Sequence, residues 1–449
     1  MKSLIALSLV SFTLLADMSI QDSWLKAGLH NEGVKAVSSD VSRAELKKSS
    51  AKSMYLPSLT LTGSYTHLSE PVNIDISDFS TKANEILGAL GATDRVPNEL
   101  DLSKEDVFLA DLHLLWPLYV GGKIDAAQDI YSAQLDEQKA LKEMKKDTEF
   151  LKLIKYYYGV VVSEFLYKTR VEAQKALRIH YENAEKLKAQ GQIAKIELLN
   201  AQVKLDSANI DLSKAKHKLE IARSALFSLT KQTNKPTSKL FVNEEMNDEE
   251  YYKRRTEQNY AGLRVLDAKA AQSASLVEIK EAGWKPEIVA FGNVNLYKDD
   301  SPIMSTLPTW FAGVMVKIDL LQRKDRSEEV QAAQLLNDKV KYLKLEALDG
   351  LALLVEKTYK EMLSDAEEFN ALNSSLELSR ENYRLREVAF KEGLSTSVEL
   401  VDAQMFLLGA KTKRLNAAYN FVQKVSQLSV LSGDREMFFE IEQLSEGIE

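Results

Sequence analysis

Two apolar periods alternate along this chain. In four segments, apolar and polar residues exchange at every second position. PSLTLTGSYTHL, from Pro57, sets Leu59, Leu61 and Tyr65 against Ser58, Thr60, Thr62, Ser64 and Thr66. VFLADLHLLWPL sets Phe108, Ala110, Leu112, Leu114, Trp116 and Leu118 against Asp111 and His113. PEIVAFGNVNLY aligns Ile288, Ala290, Val294 and Leu296, and WFAGVMVKIDLL aligns Trp310, Ala312, Val314, Val316, Ile318 and Leu320 against Lys317 and Asp319. Successive side chains of a strand point to opposite sides, so this alternation predicts strands with one apolar face, at about 57–68, 107–119, 286–297 and 310–321.

Between these segments the apolar spacing becomes three and four. From Lys123 to Lys188 the only glycine is Gly159, and from Arg326 to Lys391 it is Gly350, with no proline in either tract. Each tract predicts an uninterrupted helix of roughly 100 Å, at ~1.5 Å of rise per residue. The alanine, leucine and valine spacing marks these helices as coiled-coil partners. A shorter helix follows each, ending near Lys231 or Gly433, and another opens each half, about Ile20–Ser53 and Glu249–Ala282.

The order therefore occurs twice, and so does a phrase. GQIAKIELLNAQ runs from Gly191 to Gln202 and GLSTSVELVDAQ from Gly393 to Gln404. Their offset, 393 − 191 = 202, also pairs Tyr181 with Tyr383, Glu197 with Glu399, Leu205 with Leu407, Ala208 with Ala410 and Leu226 with Leu428. A fixed offset over this many positions is an internal repeat. It divides the chain into a first repeat at 17–230, a linker at 231–248, a second repeat at 249–433 and a tail at 434–449.

The N-terminus, MKSLIALSLVSFTLLADMS, places one lysine before an apolar run from Leu4 to Leu15, with the small Ala16 after it. That is the form of a secretory signal over residues 1–16, too short to span a bilayer. For an exported chain the strand lengths take on a meaning, since ten to twelve residues suit a tilted strand crossing an outer membrane. Tyr55, Trp116, Tyr119, Trp284, Tyr297 and Trp310 lie near the strand ends, where interfacial aromatics are expected. Four ordinary strands of a soluble sheet would show the same alternation. In a bilayer, however, every backbone polar group must be paired, and four strands are too few to close a barrel. Several chains must then share one. Two would give eight strands and three would give twelve, and the sequence does not choose.

Composition narrows the chemistry. The net charge is −8 over 449 residues, which gives no basic surface for nucleic acid. Without cysteine there is no thiolate ligand, no thiol nucleophile and no lipidated N-terminal cysteine. The histidines (His30, His67, His113, His180 and His217) show no metal-ligand spacing, although His67 and His113 come from neighbouring strand segments and could approach. No phosphate-binding glycine loop is present, and neither a cofactor nor a catalytic residue is expected. The segment 69–106, with nine acids against three bases, reads as a long solvated outer loop, or as a holder of divalent cations.

The two glycine-turn phrases ending in AQ, the doubled helix–strand–strand–helix order and the signal segment together resemble the TolC family of outer-membrane efflux channels, over roughly Met18 to Gly433. The resemblance implies a mainly α fold with membrane β-structure: a homotrimer whose twelve-stranded barrel, four strands per chain, joins a long coiled-coil helical barrel in the periplasm. The linker and the tail would form an equatorial belt. The channel would be the exit duct of a tripartite efflux or type I secretion system, reached through a periplasmic adaptor from an inner-membrane pump of the RND or ABC type. Gly191 and Gln192, with Gly393, Leu394 and Ser395, would be the tips that meet the adaptor. Glu399 and Asp402 match acidic positions of the constriction and Glu197 an acid of the neighbouring hairpin, while Ser395 stands where a basic gating residue is expected and Lys195 is a candidate substitute. Glu399 and Asp402, three apart, share a helix face, and three copies would gather six carboxylates that attract cations. Thr396 and Glu399 also have capping-box spacing, which gives Glu399 a purely local alternative. The competing class is an exported coiled-coil scaffold or adaptor without a pore.

Overall fold

The structure is a computed structural model that describes residues 17–233, 235–320 and 324–448. The signal segment 1–16 lies outside the described residues. The chain forms two units. One is a sheet unit, Arg43–Leu135 with Ala268–Lys341, and the other is a helical unit built from the remaining segments.

In the sheet unit, β1 (Ser58–His67), β4 (Asp106–Val120), β5 (Glu287–Lys298) and β6 (Trp310–Lys317) form one antiparallel sheet in the order β1-β4-β5-β6. The register brings the four apolar alternations onto one face, except at two bulges in the β4–β5 pairing, where Leu118 and Leu296 drop out of register and Tyr119 and Tyr297 take the places expected for them. Leu61, Leu112, Val294 and Trp310 make one cross-strand row, and Leu59, Leu114, Gly292 and Ala312 the next. Thr60, His113 and Asn293 line the other face, where the Asn293 amide donates to Asp111 at 3.0 Å. The apolar face is uncovered within the chain: Leu61 is 67% exposed and Val316 61%. The short helix α8 (Pro302–Ser305) lies between β5 and β6, and β6 ends at Lys317 rather than near 321, which itself lies outside the described residues. β4 turns into the following helix through Gly121, whose φ is +69°. A Cβ there would meet the Ala282 carbonyl at 2.8 Å, so only glycine fits.

The acidic segment 69–106 is folded rather than simply solvated. It holds a short hairpin of β2 (Asn73–Asp75) with β3 (Glu99–Asp101), and the helix α3 (Ser77–Ala89). Asn84 clamps Val96 with two hydrogen bonds, and the Ser80 hydroxyl donates to Asn98 at 2.6 Å. His67 pairs with Asp106, and His113 faces Thr60, seven positions away along β1. At ~3.3 Å per residue the two histidines are more than 20 Å apart and share no site.

The expected opening helices are each broken in two, at points that lie in the helical unit. α1 (Ile20–His30) and α2 (Glu32–Ala51) meet at Asn31, whose side-chain oxygen accepts from the Val34 N–H and caps α2. α6 (Glu249–Asn259) and α7 (Ala261–Glu281) meet at the extended Tyr260, whose ring lies where a Cβ on Gly262 would be. The long helices α4 (Lys123–Ala189) and α9 (Arg326–Lys391) are continuous, and α5 (Lys195–Thr230) and α10 (Ser397–Leu431) return from them. The largest core gathers Phe150, Leu153 and Tyr157 of α4, Phe421 and Val425 of α10, Phe241 of the linker, and Phe438 of α11 (Glu436–Leu444). Each buried large apolar side chain is worth about 2–3 kcal/mol against exposure, so this is where linker and tail are fastened. Tyr157 makes the same connection in polar terms. Its hydroxyl donates to the Met18 carbonyl and accepts from the Thr237 and Ser238 N–H groups, all within 2.9 Å.

Candidate functional site: two helical tips

The helices α4 and α9 end alike. Gly191 (φ +73°) and Gly393 (φ +74°) hold the left-handed residue of each turn. The N–H of Gln192 reaches back to the Leu187 carbonyl at 2.9 Å, and that of Leu394 to Ala389 at 2.8 Å. These are the six-to-one bonds of a glycine C-cap. Gln192 and Leu394 are left exposed just past the turns.

The returning helices start differently. α10 begins with a complete capping box: the Thr396 hydroxyl accepts from the Glu399 N–H at 3.2 Å, and the Glu399 carboxylate accepts from the Thr396 N–H at 2.9 Å. The Ser395 hydroxyl donates to the same carboxylate at 2.7 Å, and Arg386, on α9, lies 3.3 Å from its other oxygen. The Thr396 N–H first, then Ser395 and Arg386, hold the Glu399 carboxyl below the usual glutamate range. α5 begins at Ala194, which has no side chain to cap with.

Asp402 lies one turn beyond Glu399 and is two-thirds exposed, with the Lys204 ammonium of α5 at 3.7 Å. An open pair of this kind is worth about 0–1 kcal/mol and leaves most of the carboxylate to solvent. Lys195 is exposed and, among the described residues, neither it nor Glu197 forms an ion pair within the chain; there Arg386 pairs with Glu399 and Lys204 with Asp402. Arg386 had a faint signal, since it stands seven residues before Gly393 and Glu399 six after it, and a hairpin brings residues at similar distances from its turn together. Lys204 had none, because its contact joins one hairpin to the other.

A second contact between hairpins is deeper. His180 of α4 is 7% exposed and its Nδ1 lies 2.7 Å from the hydroxyl of Ser397, the first residue of α10. Burial lowers its pKa, Lys204 adds to that shift, and Asp402 opposes it. His180 also borders a cavity of about 1000 Å³ between the hairpins, lined by Leu187, Ile193 and Val203 of the first and Phe390 and Val398 of the second.

In the sheet unit the six aromatics fall into two groups. Tyr55, Trp116, Tyr119 and Trp284 lie where β1 begins, β4 ends and β5 begins, with the Trp116 indole donating to the Tyr55 carbonyl at 3.0 Å and Arg326 stacked 5.2 Å from the Trp284 ring centre. Tyr297 and Trp310 lie where β5 ends and β6 begins, and Tyr297 faces Ala110. From Trp116 to Ala110 is six positions, or ~20 Å of strand, close to the ~25 Å apolar band of an outer-membrane barrel.

A family model described as outer membrane efflux protein matches residues 26–230 and 254–434. The chain belongs to this family. The two matched stretches follow the two repeats and leave out the linker. The fold agrees with solved channels: CusC at TM-score 0.73, with 12% identity, 94% of this chain covered and 93% of that one; VceC of Vibrio cholerae at 0.71, with 13%, 93% and 96%; and the CmeC outer membrane channel of Campylobacter jejuni at 0.71, with 14%, 94% and 88%. A search of curated protein sequences found no match. As a member of the outer membrane efflux protein family, the chain is an outer-membrane efflux channel with its helical part in the periplasm. The pore-free scaffold or adaptor has no support. Among the described residues no helix is long and apolar enough to cross a membrane.

Proposed function

We propose that three copies close one barrel and that the two tips of each copy form its periplasmic mouth. The observation that carries this reading is the four-stranded sheet, with an uncovered apolar face and with β1 and β6 as its terminal strands. In hydrocarbon an unpaired strand edge costs several kcal/mol per polar group, so these edges call for β-strands of other copies, and three give twelve strands. The apolar face then meets outer-membrane lipid, with Tyr55, Trp116, Tyr119 and Trp284 at one interface and Tyr297 and Trp310 at the other. The linker 231–248 and the tail form the belt around the helical part. The protein is a passive duct, not an enzyme.

At the mouth, Asp402 and Glu399 of α10 form the constriction, with Glu197 beside them, and Gly191, Gln192, Gly393, Leu394 and Ser395 form the surface met by the adaptor of an inner-membrane pump. Asp402 is the stronger candidate for the ion-facing acid, because its carboxylate is two-thirds exposed and held only by Lys204, whereas Glu399 is engaged by its own helix end. The test is single-channel current from the purified, signal-cleaved protein in a planar bilayer with unequal salt. A small cation-preferring conductance is expected. Protein that fails to insert, or a conductance indifferent to ion sign, overturns the reading.

A further inference from the structure

His180 joins the two hairpins at a point that is polar, buried and adjacent to a cavity. Its Nδ1 meets the Ser397 hydroxyl at 2.7 Å, and Ser397 is the first residue of α10, where unpaired N–H groups and the helix dipole make the surroundings positive. A neutral imidazole suits that position because it either accepts from the hydroxyl or donates to it. An imidazolium does not, since it sets a second positive charge against the helix end on a side chain that is itself only 7% exposed.

Charged and titratable groups near it come from every helix that surrounds the site. On α4 itself, Lys186 borders the same cavity as His180, and Glu172 and Lys175 border a second, smaller cavity that His180 also lines. α5 brings Lys204 and Glu197, α9 brings Tyr383, and α10 brings Asp402 with Glu399 one turn away. Lys204 and Asp402 are the two whose charge reaches His180, and they act in opposite senses: Lys204 disfavours an imidazolium and Asp402 favours it. The cavity of about 1000 Å³ beside it gives the helices space into which to shift.

We propose that His180 is a proton-operated latch between the two hairpins of one subunit: neutral, it seats the start of α10 against α4, and protonated, it releases it. The proposal rests on the tip reading above only for its consequence, a wider mouth at acid pH; the latch itself is a property of the helical unit. His180 contributes to seating α10 above the ordinary histidine range, and the contribution is lost as the pH falls through the lowered value of the folded protein.

The test is amide hydrogen exchange on the detergent-purified full chain, between about pH 7.5 and about pH 5, which brackets the ordinary histidine pKa near 6.5. After correction for intrinsic exchange, protection over residues 397–402 should fall several-fold with acid in the wild type, remain flat in His180→Gln, and be low at both pH values in His180→Lys. Ser397→Ala, which keeps the histidine, should keep a response to acid from a lower starting protection. A wild type without acid response, or a His180→Gln protein with an undiminished one, overturns the latch. Conductance of the same samples separates the two ideas: exchange that responds without any change in current keeps the latch and counts against these tips as the mouth.

Discussion

The returning helices α5 and α10 occupy the same register of the repeat and are finished differently at both ends. At the start, Ala194 of α5 corresponds to Thr396 of α10, and only the second caps its helix, although Glu197 stands where Glu399 completes the box. At the far end, Lys231 corresponds to Gly433, and both adopt the left-handed conformation, at φ +56° and +67°. Glycine takes that conformation at no steric cost, and lysine does not. Their sides differ as well. α5 buries single positions at intervals (Ala201, Leu205, Ala208, Leu219), while α10 closes on an unbroken buried run from Leu428 to Leu431. A repeat thus preserves the spacing of the contact stripe without preserving the chemistry of the ends, and the second hairpin is the better fastened of the two.

The contrast breaks most severely at Gly433. A Cβ there would lie 2.7 Å from both the Cβ and the carbonyl oxygen of Asn259, in addition to the left-handed strain. Gly433→Ala is expected to destabilise the helical unit by about 3 kcal/mol, from about 1–2 of strain and at least 1 of overpacking, read as a lowered melting temperature by circular dichroism in detergent. Lys231→Gly should act in the opposite direction, raising stability by about 1 kcal/mol as it removes the strain. An unchanged melting point for both would mean that these ends do not limit unfolding.

The start of the helices gives the next effects. Thr396→Ala should cost about 1 kcal/mol by removing the cap, and should raise hydrogen exchange across the first turn of α10. Ala194→Thr should gain a comparable or smaller amount, because the glutamate that completes the box is already present at Glu197. If the first hairpin is looser because it lacks a cap, this single change should bring its exchange toward that of the second. No change in exchange would place the looseness in the side packing of α5 instead.

Much of this was legible in the sequence, and what was not had a common cause. The four alternations predicted strands that each have one apolar face because the strand period is two, and the register put Leu61, Leu112, Val294 and Trp310 in one row. The turn glycines and the Thr396–Glu399 box were visible because their partners lie within a few residues. The breaks at Asn31 and Tyr260 were not, since neither residue is a helix breaker by itself and the Tyr260 turn depends on space left by Gly262. The fold in 69–106 was hidden behind its acidic composition, although the Asn84 clamp on Val96 spans only twelve residues. Lys204 and His180 were missed because their partners, Asp402 and Ser397, lie on the other hairpin, some two hundred residues away. Only the fold brings them together.

The smallest effect tests how the two acids of the second tip divide their work. Replacing Asp402 by asparagine should lower cation preference in asymmetric salt, since that carboxylate projects to solvent beyond its Lys204 contact. Glu399→Gln should lower it less, because Arg386 and the α10 terminus already offset the Glu399 charge. The pH windows separate the acid from the latch. The folded-state pKa of Glu399 is depressed, so its contribution to the cap is present above the ordinary glutamate value of about 4.3 and is lost only as the pH falls through the lower folded value. The cap therefore stays intact between about pH 5 and 8, where histidine titrates. A conductance that changes in that interval in wild type, and still changes in Glu399→Gln, belongs to another group. If Glu399→Gln abolishes it, the carboxylate is not committed to its cap, and the difference between the two tips is smaller than their end chemistry implies.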